Sequence, residues 1–227
     1  MRRTSRTHER PDTARGGAIV RGMAWVLIVG GLLLFGVYAW QIWGTNALAR
    51  SQQAQGQQAL KRSWKAGEAT ASTNGVHLSA LVQIPKLGTR AVPMVEGTGD
   101  KELAQGFGHF DHSAPPGGKG NFALAAHRVT HGEPLRGMPS LRPGDLVLVE
   151  TKSTIYTYEL DTAGAALRVD FGAGWVLEFP PKNPDAKGTQ PPRTPRLLTL
   201  TTCAELFHTD DRLVAFGHLV STFEKGT

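Results

Sequence analysis

Cysteine is almost absent from this chain: Cys203 is the only one among 227 residues. One thiol excludes an internal disulfide. Secreted chains normally pair their cysteines, so a lone one is either an inert small hydrophobe or a reactive group. Aromatic residues are sparse at 7%, and nowhere do they interleave with basic ones, which removes the stacking-plus-phosphate pattern of a nucleic-acid surface. Charge is modest, at 19% of residues against 40% hydrophobic, a globular rather than a disordered balance. The net charge of +6 is concentrated at one end: residues 1–22 carry six arginines against Glu9 and Asp12 and so supply +4 of it. A basic tail is poor evidence for a basic surface on a folded domain, and no nucleic-acid partner is expected.

Charge is missing altogether from residues 23–43 (MAWVLIVGGLLLFGVYAWQIW). At about 1.5 Å of rise per residue, a helix of this length crosses the roughly 30 Å hydrocarbon core of a bilayer. Trp25 stands near one end and Tyr38, Trp40 and Trp43 near the other, where amphipathic rings favour the interfaces. The run is apolar on every face, unlike a core helix with one buried stripe. The arginine cluster precedes it, which directs the N-terminus to the cytoplasm and the rest outside. A cleaved signal peptide is the rival reading, because Ala47-Leu48-Ala49 resembles a cleavage site. The apolar run is longer than the about 7–15 residues of a signal core, which favours an uncleaved signal anchor.

The expected organisation is therefore a disordered cytoplasmic tail at 1–22, a transmembrane anchor at 23–43, an extracellular spacer at 44–75 with helical character near 47–64, and a folded domain at 76–227. Within that domain the pattern is short strands punctuated by Gly and Pro. Strands are predicted over 77–84, 91–95, 121–127, 145–150, 154–161, 165–169, 175–179, 196–202 and 212–222. Short helices are predicted over 101–105 and 134–139. Residues 180–195 hold six prolines and Gly188 and read as a loop. Many short strands of this kind make a mainly β fold, a closed barrel or a sandwich.

Cys203 closes the run Thr199-Leu200-Thr201-Thr202-Cys203, so it stands at a strand end followed by a loop. A thiolate is the nucleophile, and a cysteine needs a neighbouring base or cation to supply it. Histidine can serve as that partner and as the acid that protonates a leaving amine. Arginine holds a developing oxyanion with forked donors that stay charged. Among eight histidines, His127 ends the apolar run Asn121–Ala126 and is the best-placed candidate. His131, four residues on, is a weaker candidate for touching substrate. His77 and His218 fall in strands as packing or surface residues, His8 lies in the tail, and His109, His112 and His208 are expected to be solvated in loops. Glu96, Asp100 and Glu102 read as solvated charges rather than a calcium site, so no metal and no cofactor is expected. Arg212 opens the apolar run after the Cys203 loop.

These segments resemble the sortase family. Gly120–Arg128 followed by Gly132-Glu133-Pro134-Leu135 is similar to its histidine motif, Thr199–Cys203 matches its TLxTC signature, and Arg212 matches its arginine. Ile84–Gly88, Pro93–Gly97, Gly106–Phe110 and Leu141–Asp145 are also sortase-like, so the resemblance covers roughly residues 80–222 in the family's order of His, Cys, Arg. It implies a closed β-barrel of about eight strands. The His127-Arg128 pair, the Gly108-His109-Phe110 stretch and the Ala, Gly and Arg content are most similar to class E sortases of high-GC Gram-positive bacteria. Those commonly carry Tyr where this chain has Phe110, which leaves open whether Pro or Ala is accepted at the second position of the recognised pentapeptide.

The resemblance implies that Cys203 attacks the Thr–Gly carbonyl of an LPxTG or LAxTG sorting signal on a surface protein. His127 would protonate the leaving amine, Arg212 would hold substrate and oxyanion, and Thr202 and Phe110 would contact substrate. A lipid-linked peptidoglycan precursor would supply the accepting amine, with the enzyme anchored in the same membrane. An L,D-transpeptidase would need a Ser/His-Gly-Cys stretch, which is lacking, and a papain-like enzyme would place its cysteine at a helix start. Another extracellular cysteine peptidase and a non-catalytic anchored β-barrel module remain the alternatives.

Overall fold

The computed structural model describes residues 13–40, 44–88, 90–203 and 211–226. The chain divides into two units, 1–43 and 44–227. The first is a single helix, α1 (Thr13–Ala39). Its segment Val20–Tyr38 is long and apolar enough to cross a membrane. Leu27 and Leu34 on it are each 74% exposed. The helix starts at Thr13, so residues 13–22, expected as disordered tail, continue it; Arg21, for instance, bonds the Gly17 carbonyl one turn back. Residues 1–12 and 41–43 lie outside the described residues.

The second unit holds α2 (Thr45–Lys65), a four-residue helical turn α3 (Asp100–Leu103) and, among the described residues, ten strands. The strands are β1 (Ala71–Thr73), β2 (Val76–Gln83), β3 (Val92–Glu96), β4 (Phe107–His109), β5 (Gly120–Ala125), β6 (Leu146–Glu150), β7 (Thr154–Leu160), β8 (Leu167–Asp170), β9 (Arg196–Cys203) and β10 (Asp211–Glu224). Eight of them close a barrel in the order β2-β3-β4-β5-β9-β10-β7-β6, because β6 returns to pair with β2. β1 extends β2, and β8 pairs with β10 outside the ring. Closure removes the unpaired edges that an open sheet of this size would expose. The expected closed barrel of about eight strands is thus the observed one.

Alternation fills the barrel. Phe122 and Leu124 of β5, Leu198 and Leu200 of β9 and Ala215 of β10 point into one core with Phe107, Val147, Val149 and Tyr158. The opposite parity of β9 and β10, Leu197, Val214 and Phe216, packs outward under Leu167, Val176 and Trp175. The predicted strand at 175–179 is instead a 3-10 turn at Gly174–Leu177. The carbonyls of Val176 and Glu178 are taken by the Asn121 amide at 2.9 and 3.1 Å, so they have no strand to pair with. The prediction missed β1 and β4, each three residues long and too short to show a period. The predicted helix at 134–139 reduces to a 3-10 turn at Met138–Ser140.

The folded unit does not begin at Val76. The segment expected to be a spacer forms α2, which packs on the barrel. Asn46, Ala49, Gln53, Gly56 and Leu60 form its buried stripe at three- and four-residue spacing. Leu60 is fully buried among Val76, Leu78, Leu81 and Val95. A Cβ on Gly56 would sit 3.2 Å from both Leu78 and Pro93, so glycine lets the helix lie close to β2 and β3. Leu60→Ala should cost about 2–4 kcal/mol, as truncating a fully buried leucine does. Denaturant unfolding of the full chain checks this; a change below about 0.5 kcal/mol would mean that α2 is not part of the cooperative unit.

Candidate active site

Strand register brings together residues far apart in sequence. β5 runs parallel to β9 with Ala125 opposite Thr201, and the pairing continues as the Ala126 amide donates to the Thr201 carbonyl at 3.2 Å. His127 and Cys203 each lie two residues beyond this last ladder pair, past the carboxyl end of β5 and at the end of β9. β9 runs antiparallel to β10 with Cys203 directly opposite Arg212. Arg212 shares the parity of Val214 and Phe216, whose side chains pack outside the barrel core.

Phe110, His127, Thr202 and Arg212 line one small pocket with Thr98 and Leu103. A larger open groove of about 510 Å³ runs past Arg168, Asp170, Trp175, Asn183 and Asp185 and contains none of the sequence-predicted residues. Convergence of chemically competent groups identifies a site better than volume does, which favours the smaller pocket.

His127 is partly buried, and its Nε2 is enclosed with no hydrogen-bond partner. Burial, reinforced by the neighbouring His131, pushes its pKa from 6.5 down to about 4, against a weaker opposing pull from Asp100. The ring is therefore neutral near pH 7. His131 stacks on it with ring centroids 4.7 Å apart and 28° between planes. Burial also lowers His131. Thr202 is buried, and its hydroxyl donates to the Ala126 carbonyl at 2.6 Å, tying β9 to the residue before His127. Its oxygen keeps lone pairs that can accept a bond from an incoming backbone N–H.

The Arg212 guanidinium lies 3.7 Å from the centroid of the Phe171 ring. Phe171 is 64% exposed in the turn after β8. The sequence reading missed it; the only hint was a large apolar residue in the turn Asp170-Phe171-Gly172. A cation over an aromatic face gains orientation as well as energy.

His109 corrects the expectation of a solvated loop residue, while Glu96 is exposed as expected but bonded to it. His109 is in β4 and 7% exposed. Its Nδ1 bonds Glu96 Oε2 at 2.7 Å, and its Nε2 bonds the Ala114 carbonyl at 3.0 Å. Two acceptors hold two protons on the ring: burial opposes this, but Glu96, Ala114 and Asp111 together raise its pKa above 6.5. The His109 bond, helped by Ser79, holds Glu96 below the usual carboxylate range against partial desolvation. The pair fixes the strand that leads into Phe110. His112 is exposed as expected, and His77 and His218 bond Ser72 and Asp161 in their strands. His8 and His208 lie outside the described residues.

The sequence matches the family model of the sortase domain over residues 82–220. The chain belongs to the sortase family. It is 35% identical over 216 residues to sortase SrtE1 of Streptomyces coelicolor, across 90% of this chain and 59% of that protein. The chain thus spans about 59% of that relative's length. It is 26% identical over 210 residues to sortase SrtE2 of the same organism, across 87% of this chain and 80% of the relative. Among solved structures, sortase E from Streptomyces avermitilis superposes with a TM-score of 0.55 at 37% identity, covering 65% of this chain and 90% of that one. Sortase E1 from S. coelicolor with a tripeptide in the active site gives 0.54 at 36% identity, covering 64% and 89%. The resemblance to class E read from the sequence agrees with these relatives.

The two perturbed histidines should titrate in opposite directions. The unfolded His127 takes up a proton below about 6.5, the folded one only near 4, so the unfolded state binds more protons between those values. The stability from neutral, buried His127 is therefore present above pH 6.5 and lost as pH falls through 4. His109 does the reverse: its contribution is full below 6.5 and lost as pH rises through its higher folded value. Imidazole resonances should show a midpoint near 4 for His127 and one above 6.5 for His109. Equal midpoints would contradict this account of their environments.

Proposed function

We propose that this chain is a membrane-anchored cysteine transpeptidase. It cleaves a C-terminal sorting signal of the LPxTG or LAxTG kind between Thr and Gly and joins the surface protein to an amino group of a lipid-linked cell-wall precursor. The observation that supports this reading is the strand register, which pairs Ala125 with Thr201, each two residues before His127 and Cys203, and Cys203 with Arg212, in a chain of the sortase family. The solved relative with a tripeptide in its active site supports a peptide substrate.

In this reading the thiol of Cys203 supplies the proton. His127, neutral at rest, takes it as the sulfur attacks the Thr–Gly carbonyl. A C–S bond forms, and the carbonyl electrons move onto oxygen beside the Arg212 guanidinium. When the C–N bond breaks, the imidazolium returns the proton to the leaving glycine amine, leaving a thioester and a neutral ring. The acceptor amine attacks the thioester and forms a C–N bond while its proton passes to His127; the C–S bond breaks, and His127 returns that proton to the departing sulfur, which restores the thiol and the neutral ring. Phe171 holds Arg212 in place, Thr202 accepts a substrate backbone N–H, and Phe110 lines the pocket wall that meets the sorting signal.

The same reading puts α1 across the membrane, with the N-terminus in the cytoplasm and the barrel outside, from the arginines that precede it. Ala47–Ala49 lies in the first turns of α2, and Ala49 is 2% exposed against the barrel. That packing supports an anchor that stays attached. Enzyme, tail-anchored donor and lipid-linked acceptor then share one plane, which raises their effective concentrations.

Incubating the full chain in detergent with LPxTG and LAxTG peptides and an amine, read by mass spectrometry, tests the proposal. Peptide cut after Thr and joined to the amine is expected. Cys203→Ala should abolish it with the fold intact, and turnover in that variant would sink the assignment. Arg212→Lys should lose about 100-fold in kcat/KM, because an ammonium lacks the fork. Phe171→Ala should lose several-fold, consistent with a cation–π contact worth roughly 1 kcal/mol. Near-wild-type rates for Arg212→Lys would make Arg212 structural.

A further inference from the structure

The turn after His127 is held in a costly shape. His131, Gly132 and Glu133 have φ of 53°, 82° and 55°, three successive left-handed residues of which only one is glycine. Its own hydrogen bonds do not account for that shape; helix α2 supplies the rest. Asn46 Oδ1 accepts from the Gly132 amide at 2.8 Å. Asn46 Nδ2 donates to Glu133 Oε1 at 2.8 Å and to the Val129 carbonyl at 3.4 Å. Gln53 Nε2 donates to the His131 carbonyl at 3.1 Å. A Cβ at Gly132 would lie 2.7 Å from the Gln53 amide, so helix and turn are in close contact. Asn46, Gln53 and Glu133 are 6, 8 and 8% exposed. Buried amides of this kind lock one geometry, because each alternative leaves a donor or acceptor unmet.

We propose that α2 is the positioning element of the active-site histidine: Asn46 and Gln53 hold the 129–133 turn so that His131 stays stacked on His127. The inference rests on the transpeptidase reading for its rate measurements only. The stack shields one face of the His127 ring from water and fixes its plane. The titratable and charged groups facing His127 are His131 of its own turn, Asp100 of α3 and Arg212 of β10 across the pocket. Glu133 turns the other way, to Asn46 and to Arg136 at 2.6 Å. If the turn relaxes, His131 leaves, water reaches His127, and its resting protonation and orientation both change.

Asparagine is required at position 46 because it accepts with one atom and donates with the other. Asn46→Asp keeps the acceptor for Gly132 but sets a carboxylate against Glu133. Asn46→Asp with Glu133→Gln restores a donor on the opposite side of the same contact. The full chain in detergent micelles is assayed for kcat, KM, thermal midpoint and the His127 ring titration. Asn46→Asp is expected to lower kcat about 10-fold with KM changed less than 2-fold, and to move the His127 midpoint upward from about 4 toward 6.5. The double variant is expected to recover both to within about 3-fold and 0.5 pH unit. An Asn46→Asp protein that keeps both kcat and the His127 midpoint overturns the proposal. So does a double variant as impaired as the single one. Where Asn46→Asp does not fold, Gln53→Ala replaces it, with a smaller change in the same direction expected and no change counting against the idea. If the wild type turns over no peptide, the transpeptidase reading fails separately. The ring midpoints then decide: movement in Asn46→Asp upholds the positioning role, and constancy refutes it.

Discussion

Parallel pairing of β5 with β9, next to the antiparallel pairing of β9 with β10, is the constraint that gives this barrel a site. Parallel neighbours end at the same side, so the residues just past their carboxyl ends meet there. An antiparallel neighbour starts where its partner stops, so its first residues join them. Ala125 opposite Thr201 and Cys203 opposite Arg212 are thus two statements of one register. A slip of one residue between β9 and β10 would move Arg212 to the other face of the sheet. Such a slip would also carry Leu213 and Ala215 out of the barrel core and Val214 into it. The apolar alternation that fills the barrel therefore enforces the alignment of the polar residues at its rim.

The site carries unfavourable local features that this packing offsets. His127 loses water without gaining a partner for Nε2, a cost met by the neutral form of the ring rather than by a hydrogen bond. A neutral, under-solvated imidazole is a better proton acceptor than donor at rest, which fits the proposed role of His127 as a base toward a thiol. His109 in β4 presents the opposite solution: both nitrogens are partnered, and Glu96 and the Ala114 carbonyl favour the protonated ring. The presence or absence of acceptors thus shifts the two histidines in opposite directions. Only the unpartnered one sits in the pocket.

The barrel and its chemical centre were legible in the sequence because both rest on short-range pattern. Seven of the eight barrel strands, and β8 outside them, were readable as alternating or β-branched runs bounded by Gly and Pro, and His127, Cys203 and Arg212 were readable as candidates because each ends or opens such a run. What was not legible depends on contacts between distant segments. Trp175–Phe179 has the composition of a strand, but Asn121 captures its carbonyls. His109 looks like a loop residue because β4 is three residues long and flanked by glycine, and its partner Glu96 is in another strand. Phe171 gives no signal of its role, since only the fold brings it over Arg212. The reading of 44–75 as a spacer failed for a related reason: the buried stripe of α2 is Asn46, Ala49, Gln53, Gly56 and Leu60, with one large apolar residue among five. A hydrophobic-period argument has almost nothing to detect there.

That stripe also explains why the helix can position something. An apolar face adheres to a barrel but tolerates sliding and rotation, because one leucine contact replaces another at small cost. In α2 adhesion and alignment are separated along the helix. Leu60 supplies burial near the carboxyl end, and Gly56 allows a close approach midway. Asn46 and Gln53, two turns apart toward the amino end, meet specific backbone groups of the 129–133 turn. A hydrogen bond lost by a shift of an ångström or so leaves a buried amide unmet, so the polar end admits one axial and rotational setting. In chain order this aligned end follows α1, the helix long and apolar enough to cross a membrane. The first turns of α2 are therefore also those that contact the turn bearing His131.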